Sequence, residues 1–198
     1  TGVIYKRSSA LDSSFLRKVE EIQPDKVFIL DIPKVDQSFP DKVKNISWID
    51  HHSVADIKGL KYYNPMIASK GKNNWPISYW SHLITDVSPW IACVGCVSDW
   101  FLPPKKLREE LKKDYPDLLP DSIKTPEEAL FTTEIGKLAR AFSFILKGKN
   151  TMAMTFAKIL TRIKDPYEIL DQSTSQGKKV WKAFQKINKK YEELKNSI

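Results

Sequence analysis

Lys26-Val27-Phe28-Ile29-Leu30-Asp31 and Val43-Lys44-Asn45-Ile46-Ser47-Trp48-Ile49-Asp50-His51-His52 are the two stretches that decide how this sequence folds. Each is a short, nearly continuous apolar run closed by an acid. That pattern predicts strands buried on both faces, as in parallel sheets. Two such strands, one ending at Asp31 and one at Asp50, predict an α/β fold with a parallel sheet flanked by helices. In such sheets ligands gather outside the carboxyl ends of the strands.

Working outward, Phe15, Leu16, Val19 and Ile22 share one face of a predicted helix over Leu11 to Ile22, which Pro24 ends. Lys58 to Trp75 reads as loop, punctuated by Gly59, Asn64, Pro65, Gly71, Asn73 and Asn74. Ser78 to Thr85 reads as helix, and the apolar run Pro89 to Trp100 leaves helix and buried strand both open. Lys105 to Pro120, charged and bounded by prolines, reads as a surface insertion. Thr125-Pro126-Glu127-Glu128 is a helix start with cap, first-position Pro and a Glu three residues after the cap. The helix it opens is expected to reach about Leu146. A second runs from Thr151 to Ile163, and Asp165-Pro166-Tyr167-Glu168 repeats the start signature. Val180, Trp181, Phe184, Ile187, Tyr191 and Leu194 form the stripe of a last helix over Lys178 to Leu194. The expected organisation is an α/β core over residues 1–100, a helical part over 101–177 and a linker-type helix over 178–198.

The 198 residues suit one ordinary domain with a short appendage. With 41% hydrophobic and 28% charged residues the chain can build a core. Its 32 Lys+Arg against 24 Asp+Glu give a charge of +8, which suits a polyanionic partner. Two cysteines exclude a disulfide framework, and no apolar run approaches the roughly 18 residues of a membrane span. A cytoplasmic or nucleoid-associated setting is expected. The first residue is Thr, with no signal peptide after it, so the chain is expected to be a piece of a longer product.

The chemistry concentrates at Asp50, His51 and His52. A parallel sheet would bring Asp31 beside them, and Asp99 closes the later run Gly95-Cys96-Val97-Ser98. Carboxylates with imidazole suit a hard or borderline divalent cation, Mn²⁺ high among them and Mg²⁺ possible. Two such ions a few ångströms apart hold a phosphoryl group and activate water.

Val27-Phe28-Ile29-Leu30-Asp31-Ile32-Pro33, Ile46-Ser47-Trp48-Ile49-Asp50-His51-His52 and Gly95-Cys96-Val97-Ser98-Asp99 resemble motifs II, III and IV of the DHH phosphoesterase superfamily. They are most similar to its RecJ-like branch, including archaeal members. Asn64-Pro65 and Pro76-Ile77-Ser78-Tyr79 resemble the stretch between motifs III and IV. The likeness is close over roughly residues 25–100 and loose beyond. It implies that Asp31 bridges two Mn²⁺ ions, that His51 ligates one and that Asp99 completes its ligands. It implies that Asp50 orients an imidazole and that His52 faces the scissile phosphate. It further implies a motif I, a His/Asp cluster on an earlier strand, and a glycine-rich second domain reached through a linker helix. No His precedes Asp31 and no glycine cluster follows Gly148. A preceding segment or a second chain would then supply motif I, or the site is degenerate.

Lys58, Lys61, Lys70 and Lys72, interleaved with Tyr62, Tyr63 and Trp75, mix charge and stacking surface as single-strand channels do, and equally suit a solvated loop. Lys70, Lys72, Tyr62 and Trp75 are candidate substrate contacts, with Ser78 at a helix start. Cys93 and Cys96 read as buried small residues, and His82 as a core or surface histidine without an acidic neighbour in sequence. The leading expectation is a Mn²⁺-dependent RecJ-like exonuclease on single-stranded DNA or RNA. The alternatives are a phosphoesterase acting on nanoRNA, a phosphorylated nucleotide or a cyclic dinucleotide, and an inactive DHH scaffold in a replication or repair complex.

Overall fold

A computed structural model describes residues 10–85, 88–147 and 150–197. Thr1, on which the expectation of a longer product rests, lies outside them. The chain divides into two compact units, residues 1–80 and 81–198.

The first unit is α/β. Its elements are β1 (Ala10–Leu11), a 3-10 turn (Ser13–Phe15), α1 (Leu16–Ile22), β2 (Val27–Leu30), β3 (Lys34–Val35), α2 (Ser38–Lys42), β4 (Ile46–Ile49), β5 (Lys61–Tyr63) and α3 (Pro65–Ala68). Helix α4 (Ile77–Thr85) carries the boundary between the units. The main sheet is parallel throughout, in the order β2-β4-β5, and β1 pairs in parallel with β3. Leu30 stands opposite Ile49, and Ile49 opposite Tyr63. The ladder continues one step past the strands: the Asp31 amide donates to the Ile49 carbonyl at 3.0 Å, and the Asp50 amide to the Tyr63 carbonyl at 3.1 Å. The two acids that close the apolar runs therefore sit at neighbouring carboxyl ends.

One face of this sheet makes the core. Ile29, Ile46 and Trp48 pack with Leu11, Leu16, Val35, Phe39 and Val43. Trp48 is fully buried, and its indole N–H donates to the Ile32 carbonyl at 2.9 Å, pinning the turn that follows Asp31. The other face corrects the expectation of strands buried on both sides. Phe28 is 58% exposed and Leu30 46%. Period-two alternation, masked in the sequence because both faces are apolar, separates Ile29 from these neighbours. Two boundaries also move. Val43 ends α2 instead of opening β4. The segment read as loop contains β5, a third parallel strand, and α3, which Asn64 caps by accepting the Met66 amide.

The second unit is helical: α5 (Pro89–Ser98), α6 (Lys105–Asp114), α7 (Pro126–Thr132), α8 (Glu134–Leu146), α9 (Asn150–Leu160), α10 (Tyr167–Leu170) and α11 (Ser175–Lys195). The run left open between helix and strand is helix α5, with Trp90, Cys93, Val94, Cys96 and Val97 buried. Residues 105–114 are not a surface insertion. Leu107 and Leu111, one turn apart, are each 1% exposed, worth about 1.5–3 kcal/mol apiece. The helix expected from Thr125 to Leu146 is two helices. Thr125 and Glu128 form the capping box of α7, and Thr133 then caps α8 by accepting the Gly136 amide at 3.0 Å. Helix α11 buries Val180 and Phe184, leaving its lysines outward. Among the described residues no helix is long and apolar enough to cross a membrane.

Candidate metal centre

Asp31, His51 and His52 converge beyond the ends of β2 and β4. One ligand atom from each lies within 4.8 Å of the other two. Parallel register explains the meeting, because Leu30 and Ile49 are paired and the next residues leave the sheet side by side. Asp31 takes a left-handed backbone conformation, φ 57°. Asp and Asn accept that region better than most residues, and such torsions recur at functional sites.

The two imidazoles are each fixed at Nδ1. His51 Nδ1 lies 3.0 Å from the Asn74 side-chain oxygen and 3.3 Å from the Asn74 backbone carbonyl. A backbone carbonyl can only accept, so these contacts suit the tautomer in which Nδ1 of His51 carries the proton and donates. Its Nε2 then points to Asp31 Oδ1, 3.3 Å away. In the neutral tautomer this sets a nitrogen lone pair against a carboxylate oxygen. A shared cation, or a proton on Nε2, resolves the repulsion. His52 Nδ1 lies 2.8 Å from Asp50 Oδ1, and the His52 amide donates to Asp50 Oδ2 at 3.0 Å. Asp50 is fully buried, and both its oxygens are used within two residues. Metal-bound histidines typically donate their second ring nitrogen to a carboxylate or carbonyl in this way. The donor set therefore fits a divalent cation: one carboxylate, two imidazoles, and an acceptor behind each ring. Asp31 and His51 are the residues that would hold it, with His52 within reach.

Asn64 closes the corner. It is buried, donates to the His52 carbonyl at 2.8 Å and to the Tyr62 hydroxyl at 3.0 Å, and caps α3. Asn74, read from sequence only as loop punctuation, is a supporting residue that no motif marked. Asn64 was marked in sequence only through Asn64-Pro65, which resembles the stretch between motifs III and IV.

Asp99 lies in the second unit, closing α5 with its amide on the Gly95 and Cys96 carbonyls at 3.1 Å. Tyr62 turns inward. Its ring stacks on Trp48 with centroids 4.2 Å apart, so one face of the ring packs on the core. Trp75 is half-buried beside Tyr79, centroids 5.7 Å apart, and Lys70 and Lys72 are exposed in the turn before it. Ser78 lies within the first turn of α4, one residue past its start. Cys93 and Cys96 are buried, and burial pushes the Cys93 thiol well above its usual range, which disfavours the reactive thiolate. His82 has the acidic partner that sequence did not reveal: its Nε2 lies 2.8 Å from Glu110 on α6.

No family model, curated protein or solved structure matches this chain.

Proposed function

We propose that this chain is the core of a Mn²⁺-dependent phosphodiesterase, a RecJ-like exonuclease of the DHH superfamily acting on single-stranded DNA or RNA. The observation that carries the reading is the convergence of Asp31, His51 and His52 at adjacent carboxyl ends of a parallel sheet, each ring held by a dedicated acceptor. A bound divalent ion would supply Lewis acidity toward a phosphoryl oxygen and would lower the pKa of a bound water, giving the hydroxide that attacks phosphorus. His51, buried and fixed by Asn74, is suited to be a permanent ligand. His52 leaves 43% of its side chain in solvent, so it can face the scissile phosphate while Asp50 holds the ring. Asp31 contributes the charge that draws cations to the cluster. The +8 balance of the chain favours a polyanionic strand as substrate.

The test is a full-length protein containing this chain, incubated with an end-labelled single strand. Nucleotide release with Mn²⁺, none with chelator and none from Asp31→Asn is the expected result. Unchanged hydrolysis by Asp31→Asn overturns the proposal.

A second reading, a scaffold in a replication or repair complex, rests on a separate observation in the helical unit. Trp100, Phe131, Tyr191 and Leu194 are exposed, and a cleft of about 350 Å³ is lined by Phe131, Arg140, Asn188, Tyr191, Glu192 and Lys195. Absence of bound Mn²⁺ in a protein purified with its partners would favour this reading over catalysis.

A further inference from the structure

Tyr63 ends β5 on the sheet face opposite the core, in one row with Leu30 and Ile49. Its carbonyl holds the Asp50 amide, so its backbone adjoins the segment that carries both imidazoles. Its ring meets Trp80 edge to face, with centroids 5.9 Å apart and planes at 72°. Trp80 lies 5.5 Å from Tyr79, which lies 5.7 Å from Trp75. The Trp80 indole N–H donates to the Trp75 carbonyl at 3.0 Å. The residue before Trp75 is Asn74, the one that fixes His51. The aromatic row and the metal cluster therefore share a support. An edge-to-face contact takes at most one face of the Tyr63 ring, and the residue is 40% exposed. Lys61, Lys70 and Lys72 are exposed along the same segment.

We propose that Tyr63, buttressed by Trp80, is a base-stacking shelf beside the metal cluster, and that it receives an unpaired nucleobase of single-stranded nucleic acid. An aromatic face with cations along it is how such strands are held without sequence preference. The shelf deepens the phosphodiesterase reading, on which its placement of the scissile phosphate rests, by naming the substrate as a base-bearing strand. A phosphoester without a base gains nothing from it, and a base already stacked and paired in a duplex has no free face to lay on it. Tyr62, one residue earlier, faces the other side of the sheet, where its ring is stacked on Trp48.

The experiment measures binding of a fluorescein-labelled oligothymidylate to the protein in chelator, by anisotropy, so that no turnover enters. Tyr63→Ala is expected to weaken binding about tenfold, as loss of one stacked base does, and Tyr63→Phe to stay within about twofold. A strand of the same length with abasic sites should bind wild type about as weakly as oligothymidylate binds Tyr63→Ala. This arm needs no substitution and holds whatever the variant's fold. Wild-type affinity in a folded Tyr63→Ala, or undiminished binding of the abasic strand, overturns the shelf. Addition of Mn²⁺ then tests the other reading separately. Tyr63-dependent binding without hydrolysis overturns the phosphodiesterase and supports the shelf. Equal hydrolysis of sub-saturating strand by wild type and Tyr63→Ala overturns the shelf alone.

Discussion

The Asp50 carboxylate holds His52 twice, through the backbone amide at 3.0 Å and the ring Nδ1 at 2.8 Å. The buried charge is thus satisfied by a residue two places on, and the ring cannot turn without giving up that bond. Asp50→Ala should cost about 10–100-fold in Mn²⁺ affinity or turnover, the range seen when a supporting acceptor behind a ligand is lost. Asp50→Asn, which retains an acceptor oxygen, should lose less. Mn²⁺ titration followed by electron paramagnetic resonance reads both, and wild-type affinity in Asp50→Ala would contradict the positioning role.

Asp31 calls for a particular choice of variant. Its φ of 57° is a conformation that Asn tolerates and Ala resists. Asp31→Asn should keep the melting temperature near wild type while lowering Mn²⁺ affinity more than about 100-fold, beyond the usual effect of a supporting residue. Asp31→Ala should add about 1–2 kcal/mol of destabilisation from the backbone alone. Thermal melts beside metal titration separate the two effects. Equal stability of the two variants would show that the torsion carries no cost.

Asn74 should matter less than Asp50, since its backbone carbonyl remains an acceptor for His51 after truncation. Asn74→Ala is expected to weaken Mn²⁺ binding by about tenfold. Isothermal titration with Mn²⁺ gives the number, and no change would mean the backbone carbonyl suffices.

The helical unit carries a signature at alkaline pH. The Tyr167 phenol is pushed up to about 12, first by burial and then by its hydrogen bond to Asp117. A raised folded-state pKa means stability is fully present below the unfolded value near 10 and is lost as pH rises through about 12. Tyr167→Phe should therefore flatten the decline of melting temperature between those values relative to wild type. Identical slopes for the two proteins would remove Tyr167 as the cause.

Gly177 lies where α11 crosses the chain at Glu168. A Cβ there would stand 1.6 Å from the Glu168 carbonyl oxygen, which is backbone and cannot swing aside. Gly177→Ala is expected to destabilise the protein by at least about 1–3 kcal/mol, the usual cost of overpacking. Urea denaturation measures it. A shift below about 0.5 kcal/mol would mean that α11 moves away freely.

Strands β2 and β4 were legible because each carries its own apolar run and its own terminal acid. Strand β5 was not, since Lys61-Tyr62-Tyr63 is short and set among Gly, Asn and Pro; its pairing comes from β4. Helix α6 looked like an insertion because only Leu107 and Leu111 interrupt its charges, yet two leucines one turn apart are enough to seat it. The break at Thr133 escaped notice because apolar periodicity continues through it; the local event is a hydroxyl capping α8. At the candidate site the tripeptide pointed to the imidazoles and the sheet pattern to Asp31. Asn74 is brought to His51 by the path of the intervening chain, which periodicity does not encode.

The outward side of β2 has a bearing on how the protein behaves in a tube. Among the described residues β2 is an outer strand with a neighbour on one side only, and Phe28 and Leu30 lie open beside that free edge. An apolar outer strand is a template for another chain's strand. The Lys26 ammonium rests 4.6 Å from the centre of the Phe28 ring, setting a positive charge over the most exposed apolar group of the strand. Colloidal stability should then depend on that charge. High salt or neutralisation of Lys26 would expose the strand to self-association, and concentrated preparations would keep best at low ionic strength.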